Sequence, residues 1–223
     1  LLSLNNPLVV EDNNEFETEH SVEIQLPFIE YCLPNAKIII LLIGELDKNN
    51  LKIVANKLEE INDSKTLWVL STDFSHVNGN FNYKISQPDI ANKIIQTESE
   101  YMNVLLKINN NSGNDLLKIH KKYNASICGI NVLKLWCNIK FIQQYNGHIA
   151  CSYNSKQLAP FNNIKIDNSS GVVSYISCIY IKNTINIMDN IFTLFEQEQL
   201  LRYALSIIYN KINLKYPILN ILT

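Results

Sequence analysis

The 223 residues are 47% hydrophobic and 18% charged, ordinary globular composition with enough apolar material for one full core and a little more. A formal net charge of −2 at pH 7 and a pI near 6.1 supply no basic field, so neither nucleic acid nor an anionic membrane surface is expected as a partner. The longest aliphatic run, Ile38 to Ile43, falls far short of the roughly 20 residues of a membrane helix, and no basic signal region opens the chain. Five cysteines, Cys32, Cys128, Cys137, Cys151 and Cys178, form no C-x-x-C pair. They indicate neither a disulfide framework nor a zinc knuckle, and a reducing cytoplasm is the expected location. The chain opens on Leu1 without an initiator Met and stops on Ile221-Leu222-Thr223, so a fragment of a longer protein, poorly soluble on its own, is expected.

In chain order, a helix is predicted over Glu23 to Cys32, with Ile24, Phe28 and Ile29 at helical spacing and Pro27 at a start or bend. Lys37 to Ile43 reads as a strand. Asn49 to Ile61 is a helix with Leu51, Val54, Ala55 and Leu58 on one stripe, and Thr66 to Leu70 is a second strand. Ser86 to Ile108 follows as a long helix, capped by Ser86, carrying Pro88 in its first turn and facing Ile90, Ile94, Tyr101 and Leu105 inward. Asn114 to Tyr123 is a shorter helix. Gly129 to Tyr145 is another, with Val132, Leu135, Trp136 and Ile139 buried. His148 to Tyr153 and Val172 to Ile181 complete the strands. Apolar strands alternating with helices predict an α/β fold built on a mostly parallel sheet flanked by helices. After Lys182, residues 183–189 read as a linker, and Thr193-x-x-Glu196 is a capping box opening an amphipathic helix within 190–223.

The chemistry concentrates at Ser71-Thr72-Asp73-Phe74-Ser75-His76, where the strand Thr66 to Leu70 runs into a carboxylate, a hydroxyl and an imidazole. Ionisable groups at a strand's carboxyl end sit where α/β folds bind ligands, and imidazole moves protons near neutral pH. Asp73 and His76 are therefore the candidate acid/base pair, against the plainer reading of an N-cap Asp and a surface His. Glu19 and His20 open a helix. They either line a pocket as a cofactor-binding pair or serve as a cap and a core imidazole, and the residues leave both readings open. His120 and His148 belong to no motif.

Four segments together resemble the Memo family, known in prokaryotes as AmmeMemoRadiSam system protein B: Glu19-His20-Ser21-Val22-Glu23-Ile24-Gln25-Leu26-Pro27, Ser71 to His76, Ala125-Ser126-Ile127-Cys128-Gly129, and Tyr153-Asn154-Ser155 followed by Val172-Val173-Ser174-Tyr175. The likeness covers roughly residues 8 to 182. It implies a fold similar to class III non-haem iron extradiol dioxygenases, with Cys128 as the late metal ligand and His76 with Asp73 beside the metal. It also implies two further metal-binding His residues in an earlier segment with an H-A-G-Y-like motif, which the residues before Leu8 do not contain. Iron or copper is thus expected in the full-length protein and none in this chain. The family's usual Pro after Cys-Gly is replaced here by Ile130-Asn131-Val132. Thr193 to Lys211 is similar to the opening of an AMMECR-type domain.

Two functions stay open at this level. One is a metal-binding redox protein, inactive as the chain stands, in which His76 shuttles protons to a small aromatic or carbonyl substrate. The other is a non-catalytic adaptor module that uses the same cleft for a peptide or small ligand. Whether the chain is an enzyme, and in what oligomeric state, its residues do not decide. Both functions require Asp73, His76 and Cys128 to meet in one hollow.

Overall fold

A computed structural model describes residues 19–81, 83–85, 90–123, 127–155 and 171–182. Residues 19–41 belong to one compact unit and the described residues from Leu42 onward to a second. The linker and the C-terminal helix expected over 183–223 lie outside the described residues, as do Ser86, Pro88, Ala125 and Ser126.

In the smaller unit the helix expected over Glu23 to Cys32 is divided into α1 (His20–Glu23) and α2 (Leu26–Cys32). Pro27 lies in the first turn of α2, where a missing N–H removes no helical hydrogen bond. It could not have continued a helix arriving from Glu23 without leaving one unmade.

The larger unit begins with α3 (Lys48–Ile61). Asp47 starts it by accepting the backbone N–H groups of Asn49 and Asn50 at 2.8 and 2.9 Å, which satisfies two donors that a helix end leaves free. Leu51, Val54, Ala55 and Leu58 are buried along one stripe, as their spacing predicts. Next come β1 (His76–Val77), α4 (Ile90–Leu105), α5 (Ser112–Tyr123) and α6 (Ile130–Trp136). In α4 the predicted inward residues Ile90, Ile94, Tyr101 and Leu105 are all buried. The helix expected over Gly129 to Tyr145 stops early. The Asn138 amide bonds back to the Lys134 carbonyl at 2.8 Å, and Glu59 Oε1 accepts the backbone N–H groups of Lys140 and Phe141. These contacts turn the chain into a 3-10 helix over Phe141–Gln144 and then into β2 (Tyr145–Asn154). Leu133 rather than Val132 takes the buried position.

The sheet corrects the expectation of parallel strands. With β3 (Val172–Lys182) the order is β1-β3-β2, and both pairings are antiparallel. Lys37 to Ile43 and Thr66 to Leu70 carry no ladder pairing among the described residues. The physical reason is that an apolar run reports what its two faces touch and is silent about the direction of its neighbour. The mixed helix-and-sheet, α/β class stands.

The main core of this unit packs α3 against Met102 and Leu105 of α4 and Leu133 and Trp136 of α6. Tyr180 of β3 closes it, its ring 5.6 Å from that of Trp136 and its hydroxyl donating to the Leu105 carbonyl at 2.9 Å. A smaller cluster of Val77, Ile85, Ile90, Ile94 and Val172 anchors β1. At roughly 1.5 to 3 kcal/mol for each fully buried aliphatic side chain, that cluster is what keeps so short a strand in place beside the site. None of the described helices is long and apolar enough to cross a membrane.

Candidate metal centre

Three segments of the larger unit meet at one point. His76 is paired with Val173 across β1 and β3, and the ladder extends back toward Asp73 because Phe74 N donates to Ser174 O at 2.9 Å and Ser174 N to Ser75 O at 3.0 Å. At the far end of β2, the Ser155 hydroxyl accepts Val173 N–H at 3.1 Å, so two of the sequence motifs brace the rung opposite His76.

The third segment is the turn Cys128-Gly129. Gly129 N donates to Thr72 Oγ1 at 2.8 Å, and the same hydroxyl donates to the Asp73 carbonyl at 2.8 Å. Thr72 therefore ties the turn to the backbone of Asp73. A Cβ on residue 129 would collide with the Thr72 side chain, so glycine is required here for close approach rather than for an unusual backbone angle.

This docking brings Cys128 Sγ to 3.6 Å from His76 Nε2 and 4.0 Å from Nδ1. Asp73 Oδ2 lies 3.4 Å from the same Nε2. The three donor atoms, one oxygen, one nitrogen and one sulfur, all lie within 4.8 Å of one another. The His76 side chain is 10% exposed and the Asp73 side chain 44%, and Cys128 is exposed, so the cluster is walled behind the imidazole and open in front of the sulfur and carboxylate.

The donor set fits a first-row transition metal. With metal–nitrogen and metal–oxygen bonds of about 2.0 to 2.2 Å and metal–sulfur bonds of about 2.3 Å, two ligands of one tetrahedral ion stand roughly 3.3 to 3.8 Å apart. The two separations at Nε2 fall inside that window. From the sequence only Cys128 was expected to be available as a ligand; folding supplies three donors, the number that a catalytic site with an open position uses.

Other residues shape the surroundings. The Phe81 ring meets His76 edge-on, with centroids 4.7 Å apart, and stands where a Cβ on Gly171 would be. Its loop is held by Asn78, which adopts a left-handed φ of 59° and exchanges two side-chain hydrogen bonds with the backbone of Ile85 at 2.9 and 3.0 Å. Burial, and after it the Asp73 carboxylate, push the Tyr175 phenol above its ordinary value, so that ring lies within electrostatic reach of the site. Sequence reasoning missed Thr72, Phe81 and Tyr175 as parts of the site, although Thr72 and Tyr175 stand inside motifs it had singled out.

Glu19 and His20 fall in the smaller unit. Glu19 accepts Ser21 N–H at 2.8 Å and thereby caps α1, and its hydrogen bonds with Ser21 hold its carboxyl below the usual range. The exposed His20 ring lies 3.7 Å from Glu23. His120, outside every motif, meets the buried Tyr101 hydroxyl at 3.3 Å, and burial lowers its basicity.

Comparison with known proteins gives a consistent picture. The model of the family described as Memo-like protein matches residues 2–179. The chain is similar to the protein memo-1 homolog of Caenorhabditis elegans, 30% identical over 127 residues, which are 54% of this chain and 35% of that protein. A MEMO1 family protein of Aquifex aeolicus is 31% identical over 105 residues, 46% of this chain and 27% of the relative. One from Caldivirga maquilingensis is 25% identical over 128 residues, 56% of this chain and 40% of the relative. The matches thus span well under half the length of these curated relatives.

Proposed function

The chain belongs to the Memo-like protein family, and with that as premise we propose that Asp73, His76 and Cys128 form the protein's metal-binding redox site. The observation that carries this reading is the convergence of three unlike donors on one face, with a carboxylate and a sulfur both crowding His76 Nε2. A carboxylate that merely oriented a metal-bound imidazole would bond to the opposite ring nitrogen. Two groups sharing one nitrogen at ligand-to-ligand spacing support a reading as co-ligands, in which Asp73 is a ligand in place of the acid/base role expected for it.

Thiolate, imidazole and carboxylate together suit iron, copper or zinc better than magnesium or calcium. When bound, iron or copper supplies a one-electron redox centre and a Lewis acid. The protein's own contributions are more specific. Phe81 excludes water from one edge of His76. Asp73, its side chain nearly half exposed, completes the donor set on the open side of the site. The Tyr175 phenol, held in its neutral form, is a hydrogen-bond donor at the same opening. A small molecule with an oxygen function is the substrate class these groups suit.

The test is anaerobic loading of the reduced protein with ferrous, cuprous or cobaltous ion, followed by gel filtration and metal analysis. Stoichiometric metal is expected in the wild type and none in Cys128→Ala or His76→Ala. A wild-type protein that carries no ion through the column removes the metal reading and leaves the cleft as a surface for a peptide or small ligand.

A further inference from the structure

Behind the strand end that carries Asp73 and His76 lies a carboxyl with no part in the site as described. Glu98 sits on α4 with 6% of its surface exposed, between the buried Ile94 and Tyr101. Ser174 Oγ donates to its Oε1. The same Ser174 oxygen accepts Ser75 N–H at 2.9 Å and stands 3.3 Å from the Ser75 carbonyl. Ser75 and Ser174 are themselves fully buried, and the backbone N–H and hydroxyl of Ser75 also face the same carboxyl. No Lys, Arg or His pairs with Glu98 among the described residues.

A buried carboxyl costs desolvation that a leucine in the same stripe would avoid, so its presence asks for a compensating role. The place of its contacts supplies one. Ser75 lies between Asp73 and His76, and Ser174 is its partner across the ladder, so Glu98 grips the rung next to the His76–Val173 pair. Successive side chains of an extended segment point to opposite faces, which puts the Ser75 grip on the face away from His76.

We propose that Glu98 is a positioning residue: it clamps the Ser75–Ser174 rung onto α4 and so sets the separation of Asp73, His76 and Cys128. The metal-affinity half of its test rests on the reading of the site given above; the metal-free half does not.

The experiment compares Glu98→Ala, Glu98→Gln and Ser174→Ala in the full chain. Cobaltous ion is the probe, read by its affinity and by the sulfur-to-cobalt absorption band, and the ¹H–¹³C resonances of the His76 ring are read without metal. Removing a residue that acts on a site only through intervening packed groups weakens binding there by about 2- to 30-fold. That loss, with a shifted cobalt band and displaced His76 resonances, is expected for Glu98→Ala and Ser174→Ala. Glu98→Gln keeps a donor and an acceptor and restores both readouts. A purely structural Glu98 would lower the melting temperature and leave cobalt affinity, band and ring resonances unchanged, which overturns the proposal. If wild-type protein takes up no cobalt, the metal reading falls by itself and the His76 resonances alone decide on Glu98. If Glu98→Ala does not fold, Ser174→Ala carries the comparison.

Discussion

Gly129 is the residue on which the site's assembly turns. It is one atom short of a collision with Thr72, and the hydrogen bond between its N–H and Thr72 Oγ1 is 2.8 Å long. Adding a methyl group must push the turn and its neighbour, Cys128, away from His76. Overpacking of this kind costs about 1 to 3 kcal/mol, so Gly129→Ala is expected to lower the unfolding free energy by that amount and to weaken or abolish uptake of metal. Urea unfolding and metal analysis on the same preparation check both halves. A variant that is destabilised yet loads metal normally would separate the turn from the site. Asp73, His76 and Cys128 were each legible from residue type and motif. Thr72 was not, because its part lies in a contact 57 positions along the chain, and a hydroxyl at a strand end carries no mark of what will pack on it. The three-donor geometry was equally hidden, since spacing along a chain says nothing about which ring nitrogen a distant sulfur approaches.

Among the elements, the helical spacing of α4 predicts its buried face, and one residue on that face is informative. Ile94, Tyr101 and Leu105 follow the helical spacing of a buried face, and Glu98 stands in phase with them, four residues after Ile94 and three before Tyr101. An acidic residue inside an apolar stripe was a signal available in the sequence. Burial pushes the Glu98 carboxyl above its ordinary 4.5, with Ser174 and Ser75 pulling it back. Such a group binds its proton more tightly folded than unfolded. The stability it contributes is therefore complete below 4.5 and is lost as pH rises through the folded value. Measured by urea unfolding across this range, wild-type stability should decline relative to Glu98→Gln as pH rises and level off once the carboxyl is ionised. A difference that stays constant with pH would show that Glu98 carries its charge, or lacks it, equally in both states. The strands were less legible than the helices for a related reason. Val172 to Ile181 and His148 to Tyr153 have the composition of strands, but the antiparallel ladder between them depends on a register with a shift between Ile149 and Cys151, which periodicity does not encode.

At the scale of the larger unit, one segment with the sequence pattern of a strand keeps a strand's two faces without a ladder among the described residues. In Thr66 to Leu70, Trp68 and Leu70 pack on the core, while Leu67 is 66% and Val69 50% exposed on alternate positions. The period of two shows that the residues are arranged as a strand with one face satisfied and the other bare. A segment without a ladder partner among the described residues, beside exposed aliphatic side chains, is a template for association with another chain. Because Leu67 and Val69 are largely solvent-facing, replacing them by Lys and Thr should change folding stability by no more than about 0.5 kcal/mol. The same pair of substitutions removes the apolar stripe that drives association, so light scattering is expected to show less self-association at equal concentration, with metal uptake unchanged. If the double variant instead melts lower and loses cooperativity, then that face is covered in the folded protein, and the apolar outward positions serve the core rather than expose it.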